Sequence, residues 1–89
     1  MKLTLTTPTG TVLDTDATYA NLPGDMGDFG VLPGHINLVS TLRDGSTLTV
    51  KTADGKALAY TVKGGFAEVK TEGLTQTKIT ILTETAEQA

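Results

Sequence analysis

An all-β fold is the structure that this sequence predicts, and its threonine content and hydrophobic period both point to it. Threonine occupies 18 of the 89 positions, and its stiff β-branched side chain favours pleated strands over helices. Apolar and polar residues alternate along several short segments, with a period of two rather than 3.6. Turn-forming residues interrupt the chain roughly every 8–12 residues, the spacing of an all-β sandwich or barrel.

The alternation also predicts which side chains share a face of a strand. The apolar sets are Leu3 with Leu5, Leu48 with Val50, Leu58 with Tyr60 and Val62, and Ile79 with Ile81. In each segment the intervening positions are largely threonine or other polar residues, so each sheet has one apolar face and one polar face. An apolar face has to be buried against another layer. Two small sheets packed face to face, a β-sandwich, satisfy this requirement.

Turns are predicted where glycine follows a residue that favours a turn. The clearest is Asp54-Gly55, which lies between two good strands and is a strong hairpin signal. The other candidates are Pro8-Thr9-Gly10, Asp44-Gly45 and Glu72-Gly73.

The glycine pair Gly64-Gly65 precedes the segment Phe66–Val69 and interrupts the strand pattern. It predicts a bulge or a close backbone approach. The alternative is a pair kept small so that a partner can approach.

Composition excludes several classes of function. The net charge of −3, with scattered basic residues, argues against a nucleic-acid partner. With no cysteine, disulfides and thiolate chemistry are ruled out. The N-terminus has no apolar segment typical of a signal peptide, and no apolar run approaches the ~18 residues of a membrane span.

We expect one β-sandwich domain over residues 1–85 and a flexible polar tail over residues 86–89.

The segment Gly24–Ser40 holds four glycines, Asp25, Asp28 and the only histidine, His35. His35 could act as a base for Ser40, Ser46 or a threonine, although no nucleophile-elbow motif is present. Asp25, Asp28 and His35 could instead be metal ligands. A docking loop, or ordinary turns with Phe29, Val31 and Leu32 in the core, accounts for the segment equally well. The residues alone leave these alternatives open.

The amino-acid sequence of this glycine-rich segment resembles the signature of a known family. Pro23–His35, PGDMGDFGVLPGH, is similar to the Gly-rich loop of the epsilon subunit of rotary F-type ATP synthases, ending in Pro-Gly-His. Lys63–Val69 resembles the Gly-Gly-x-x-Glu-Val stretch of that family, and Ile79–Leu82 its closing strand. Arg43-Asp44-Gly45 is similar to its Arg/Lys-Pro-Gly turn, with Asp in place of Pro. The resemblance extends from Leu3 to about Thr85.

The resemblance implies a two-sheet antiparallel β-sandwich of about ten short strands at the foot of the central stalk. Such a rotor subunit binds the gamma subunit and the polar loops of the membrane c-ring, and it couples ion-driven rotation to ATP synthesis without an active site, cofactor, metal or small-molecule substrate. By this resemblance, the expected c-ring contacts are Met26, Asp28, Phe29 and Leu32. The expected gamma contacts are His35, Ser40, Gly65 and Glu68.

Family members usually continue into a C-terminal helical hairpin, for which this sequence has no helix-period segment. We therefore do not expect its inhibitory or ATP-binding roles here. The resemblance implies a peripheral membrane protein at the cytoplasmic face of the bacterial inner membrane, or at the stromal thylakoid face. Two other functions stay open: a β-sandwich adaptor for another protein, and a small hydrolase or metal protein centred on His35.

Overall fold

The computed structural model describes residues 1–89 and consists of nine strands without a helix, which confirms the all-β prediction. The strands are β1 (Lys2–Thr7), β2 (Gly10–Gly24), β3 (Gly27–Val31), β4 (Leu38–Thr41), β5 (Ser46–Thr52), β6 (Ala57–Val62), β7 (Phe66–Glu72), β8 (Gln76–Leu82) and β9 (Ala86–Gln88).

The strands form two sheets that share the long strand β2. In sheet A the order is β4-β7-β8-β1-β2, and in sheet B it is β3-β2-β5-β6-β9. The first part of β2, up to Asp16, pairs with β1, and from Ala17 onward the strand pairs with β5. A register shift between Ala17 and Tyr19 marks the crossing. Counting β2 once in each sheet gives ten strand segments, the number that the resemblance implied.

One strand pair departs from the predicted antiparallel arrangement. Strands β1 and β8 run parallel, with Leu3 opposite Ile79 and Leu5 opposite Ile81. A parallel pair needs a long connection, and here the six strands β2 to β7 lie between the two strands in sequence. Every other pair is antiparallel.

The hydrophobic core lies between the sheets and uses the side chains that the period-two pattern predicts. Leu3, Leu5, Ile79 and Ile81 have no exposed surface. The same core contains Leu48, Val50, Tyr60 and Val62, while Leu58 is half-buried against it. Burial of aliphatic side chains at roughly 1.5–3 kcal/mol each is the main stabilising contribution in a domain of this size.

The glycine pair between β6 and β7 makes the close backbone approach that the sequence predicts. Gly65 has φ = 93°, and a Cβ added there would stand 1.9 Å from the carbonyl oxygen of Leu82. Gly64 also has a positive φ, of 61°, but nothing lies near its missing Cβ. Only Gly65 is therefore restricted by its neighbours as well as by its backbone conformation.

The C-terminal residues, for which the sequence predicts a flexible tail, form a short strand in the structure. Ala86–Gln88 form β9, with Ala86 opposite Val62 at the free edge of β6. The preceding turn is anchored by Thr83, which is buried and whose hydroxyl donates to the Lys63 carbonyl at 3.1 Å. The sequence did not predict this pairing because the segment has no apolar alternation.

The sandwich has two ends, which lie about 20 Å apart because β7 spans the distance between them. We call the first the tip end. It comprises residues 24–28, 42–45 and 63–65, joined by bonds such as Leu42 N–H to the Gly65 carbonyl at 2.9 Å. We call the second the loop end. It comprises residues 32–37 and 73–75, and its first segment is held to β8 by the Gly34 N–H, which donates to the Thr77 hydroxyl at 2.8 Å.

Candidate functional site

The most exposed apolar side chain of the molecule lies at the tip end. Strands β2 and β3 form a hairpin whose last pair is Gly24 with Gly27, so the turn consists of Asp25 and Met26. The Met26 side chain is fully exposed. Methionine is flexible and polarizable, which suits an adaptable contact with another protein. The Met26 side chain therefore contributes nothing to the core and is open to contact with another protein.

Arg43 braces this hairpin from the adjoining connection between β4 and β5. Its guanidinium donates through Nη1 to the Gly24 carbonyl at 2.6 Å, and through Nη2 it forms an ion pair with the Asp28 carboxylate. Its backbone N–H donates to the Pro23 carbonyl at 3.0 Å. The tip is thus held by three hydrogen-bond donors from one residue.

Asp28 is exposed and carries a stabilised charge. The hydrogen bond from Arg43 lowers the pKa of its carboxyl group below the ordinary value, and a second bond, from the Asn21 amide at 3.3 Å, lowers the pKa further. About half of the Asp28 side-chain surface is accessible. The carboxylate is therefore ionised at neutral pH and can still meet a basic group on its open side.

Three of the predicted contact residues meet at the seam between the edge strands β3 and β4. The Ser40 hydroxyl and the Phe29 ring both lie about 3 Å from where a Cβ on Gly24 would stand. The Phe29 and His35 rings have centroids 6.4 Å apart. Phe29 is half-buried against the core and Ser40 is half-buried too. This seam cluster closes one side of the sandwich and leaves His35 partly accessible.

Leu32 lies away from the other residues predicted to contact the c-ring. The five residues of β3 separate Leu32 from Met26, so the two are about 20 Å apart, at opposite ends of the strand. Leu32 is 58% exposed and shares the loop end with the exposed residues Ile36 and Leu74. The four predicted c-ring residues therefore do not form one patch: Met26 and Asp28 lie at the tip, Phe29 in the seam and Leu32 at the loop end.

The remaining predicted gamma contacts lie on and beside sheet A. Glu68 points outward from β7, opposite Val39 of β4 and Thr80 of β8. Gly65 lies at the start of the same strand. Beside them the outward face has apolar side chains that the sequence reasoning did not select: Val39, Phe66 and Leu82. The period-two pattern could have found Phe66, because it shares a face with Glu68.

The structure does not assemble the catalytic or metal site considered from sequence. His35 Nδ1 bonds the Ile36 carbonyl at 2.7 Å, and the Ser40 hydroxyl donates to the Thr41 carbonyl at 3.0 Å, so no hydrogen bond joins the two side chains. The Asp25 carboxylate accepts a hydrogen bond from the Thr41 hydroxyl. No three histidine, aspartate or glutamate side chains come close enough to hold one metal ion.

Fold and site together define a small two-sheet β-sandwich domain with exposed apolar side chains at both of its ends. Its sequence matches the model of the β-sandwich domain of the ATP synthase delta/epsilon chain over residues 1–89. The chain belongs to this family. None of its secondary-structure elements is a helix that could cross a lipid bilayer.

Individual relatives agree with the family match. The ATP synthase epsilon chain of Nitratidesulfovibrio vulgaris is 44% identical over 89 residues, which is 100% of this chain and 61% of the relative. The epsilon chain of Sulfurovum sp. is 41% identical over 75 residues, covering 84% of this chain and 58% of the relative. The chain thus spans about three fifths of the length of these relatives.

A solved structure shows the same fold within an assembly. A chain in the cryo-EM structure of the Euglena gracilis mitochondrial ATP synthase, resolved with OSCP, F1 and the c-ring, superposes with a TM-score of 0.79 at 31% identity. The superposition covers 97% of this chain and 51% of that chain.

Proposed function

We propose that this chain acts as a non-catalytic rotor component of the central stalk of an F-type ATP synthase. It binds the gamma subunit and the c-ring, and so couples ion-driven rotation to ATP synthesis. The observation that carries the proposal is Met26, fully exposed on a hairpin that Arg43 braces, in a chain whose whole length matches the epsilon-chain sandwich.

The contact with the c-ring is centred on the tip end. Met26 supplies an apolar side chain that a partner can bury, and Asp28 supplies a charge for a basic group in a polar loop of the ring. An exposed ion pair of this kind contributes on the order of 1 kcal/mol or less and mainly fixes orientation. Phe29 supports the tip from the seam. Leu32 contributes only if the ring extends along the free edge of β3.

The contact with gamma uses the seam and the adjoining face of sheet A. His35 and Ser40 lie in the seam cluster, while Gly65 and Glu68 lie on or beside β7. The exposed apolar residues Val39 and Phe66 lie among them and supply the area that a stable contact needs.

Transmission of torque requires that the domain does not deform between its two contacts. Packed protein interiors have low compressibility, and here a continuous core of 15 buried residues connects the sheets. Strand β2 runs through both sheets, so a force on the hairpin tip is carried by covalent backbone into each of them. In this role the protein is peripheral to the membrane. It is attached through the c-ring, on the cytoplasmic or stromal side.

Complex formation with the cognate gamma subunit tests this function. The chain is mixed with purified gamma, and the mass of the complex is measured by light scattering after size exclusion. One copy of each protein in the complex is the expected result. Two separate species at micromolar concentrations would contradict the proposal and favour an adaptor for another partner. The Glu68→Lys variant should weaken the complex, whereas Thr49→Lys, on the outward face of sheet B, should leave it unchanged.

A further inference from the structure

Three lysines form a row across the outward face of sheet A. Lys70 of β7 lies directly opposite Lys78 of β8, and Lys78 lies directly opposite Lys2 of β1. Neighbouring strands are about 4.8 Å apart, so the row is about 10 Å long. It contains three of the seven basic residues of a chain with a net charge of −3. We call these residues the lysine row.

The lysine row is only partly neutralised within the chain. Lys2 approaches the Asp14 carboxylate at 3.8 Å, whereas Lys70 and Lys78 are exposed and have no carboxylate within the 4.0 Å limit of an ion pair. Like charges directly opposite each other destabilise a sheet. Threonine fills other outward positions of the same strands, such as Thr4 and Thr80, so the fold does not require lysine here.

The surface around the row is a shallow, polar concavity of about 640 Å³. Its lining includes all three lysines, and Met1 is its only hydrophobic residue. Three acids, Asp16, Glu68 and Glu72, flank the row. These carboxylates repel a dense polyanion such as nucleic acid or an anionic membrane. Repulsion from these carboxylates is smaller for a partner whose acidic groups form one narrow stripe along the lysine row.

We propose that the lysine row binds an acidic α-helix of a protein partner, with the helix axis lying across the strands. Side chains at positions i, i+3 and i+7 of a helix follow one another at about 5–6 Å, close to the 4.8 Å strand spacing. Successive carboxylates of one helical stripe therefore meet successive lysines of the row. The contact is polar and salt-dependent, and it does not depend on the assembly proposed above.

The test uses the ¹⁵N-labelled 89-residue protein and two synthetic alanine-rich helical peptides of about 20 residues. One peptide carries its glutamates in a single stripe, and the other has the same composition with the glutamates distributed around the helix. Binding is followed through amide chemical shifts at low and at high salt. We expect the striped peptide to shift amides of β7, β8 and β1 at low salt, and the distributed peptide to bind more weakly.

Matched double variants identify the residues responsible. Lys70→Gln/Lys78→Gln should weaken binding of the striped peptide about fivefold, the loss of two exposed ion pairs. Lys51→Gln/Lys56→Gln changes the net charge equally, outside the concavity, and should leave the affinity unchanged. A melting temperature that does not fall in either variant shows that folding is intact.

Three results would overturn the inference. The first is equal binding of the two peptides. The second is an equal loss of affinity in the two double variants. The third is inorganic phosphate producing the same shifts and competing with the striped peptide at equal concentration, because that identifies a simple anion site.

Discussion

Replacing Gly65 with alanine tests the closest backbone contact in the sandwich. A Cβ at this position would lie 1.9 Å from the Leu82 carbonyl oxygen and 2.8 Å from the Thr83 Cα, so β7 must move away from the end of β8. The left-handed backbone adds about 1–2 kcal/mol for a residue with a side chain, and overpacking adds about 1–3 kcal/mol. We expect a loss of about 2–5 kcal/mol, a large part of the stability of a small domain.

Gly64→Ala is the matched control, because its φ of 61° is also positive but no atom lies within 4 Å of the added Cβ. It should cost only about 1–2 kcal/mol. Urea unfolding followed by far-UV circular dichroism measures both variants. Equal midpoints for the two variants would refute the argument that contact with Leu82, rather than backbone conformation alone, restricts this position.

Three further predictions address the tip and the C-terminus. Because the Asp28 pKa lies below its ordinary value of 3.8, its charge stabilises the folded state above about pH 4, and this contribution disappears as the pH falls through the lowered pKa. Asp28→Asn should therefore lower the urea midpoint at pH 7, and this loss should shrink as the pH falls below about 4. Asp44→Asn removes a carboxylate without a hydrogen-bond partner and should leave the midpoint unchanged at both pH values. Met26→Asp should alter the free energy of unfolding by less than about 0.5 kcal/mol while weakening attachment to the c-ring in a pull-down. The Ala89 amide donates to the Ala59 carbonyl at 2.9 Å and should therefore exchange its hydrogen slowly. Exchange at the rate of an unstructured peptide would instead support a flexible tail.

The sheet interior could be predicted from the sequence because its signal is local. Leu3, Leu5, Ile79 and Ile81 alternate with polar residues, and the structure buries all four. The Gly64-Gly65 pair was likewise recognisable, because glycine inside a strand pattern often marks a bulge or a close approach of another backbone. In both cases the residue types within one short segment are sufficient to predict its local backbone conformation.

Long-range pairing could not be predicted in the same way. The parallel pairing of β1 with β8 depends on where the chain returns after sheet B, and no local pattern encodes it. The strand β9 depends on the free edge of β6, which a largely polar tail joins mainly through backbone bonds, with Ala86 half-buried against the core. Backbone pairing of this kind leaves little trace in the side chains.

The positions of the candidate contact residues could be predicted only in part, because they too depend on pairing between distant segments of the chain. The Gly-rich loop is exposed at Met26, but its residues diverge along β3, so that Leu32 lies at the other end of the domain. The brace from Arg43 joins positions 15 residues apart and was not anticipated. Nor was the lysine row, whose members come from three strands and are brought together only by register.

Cross-linking from single cysteines measures which end of the domain contacts the ring. The chain has no cysteine, so Met26→Cys at the tip end and Leu74→Cys at the loop end each introduce one thiol at an exposed site. Each variant is assembled with the cognate complex carrying a cysteine in the polar loop of its c subunit, and disulfide formation is then measured. We expect a cross-link from position 26 and none from position 74. A cross-link from position 74 alone would contradict the placement of the tip end on the ring.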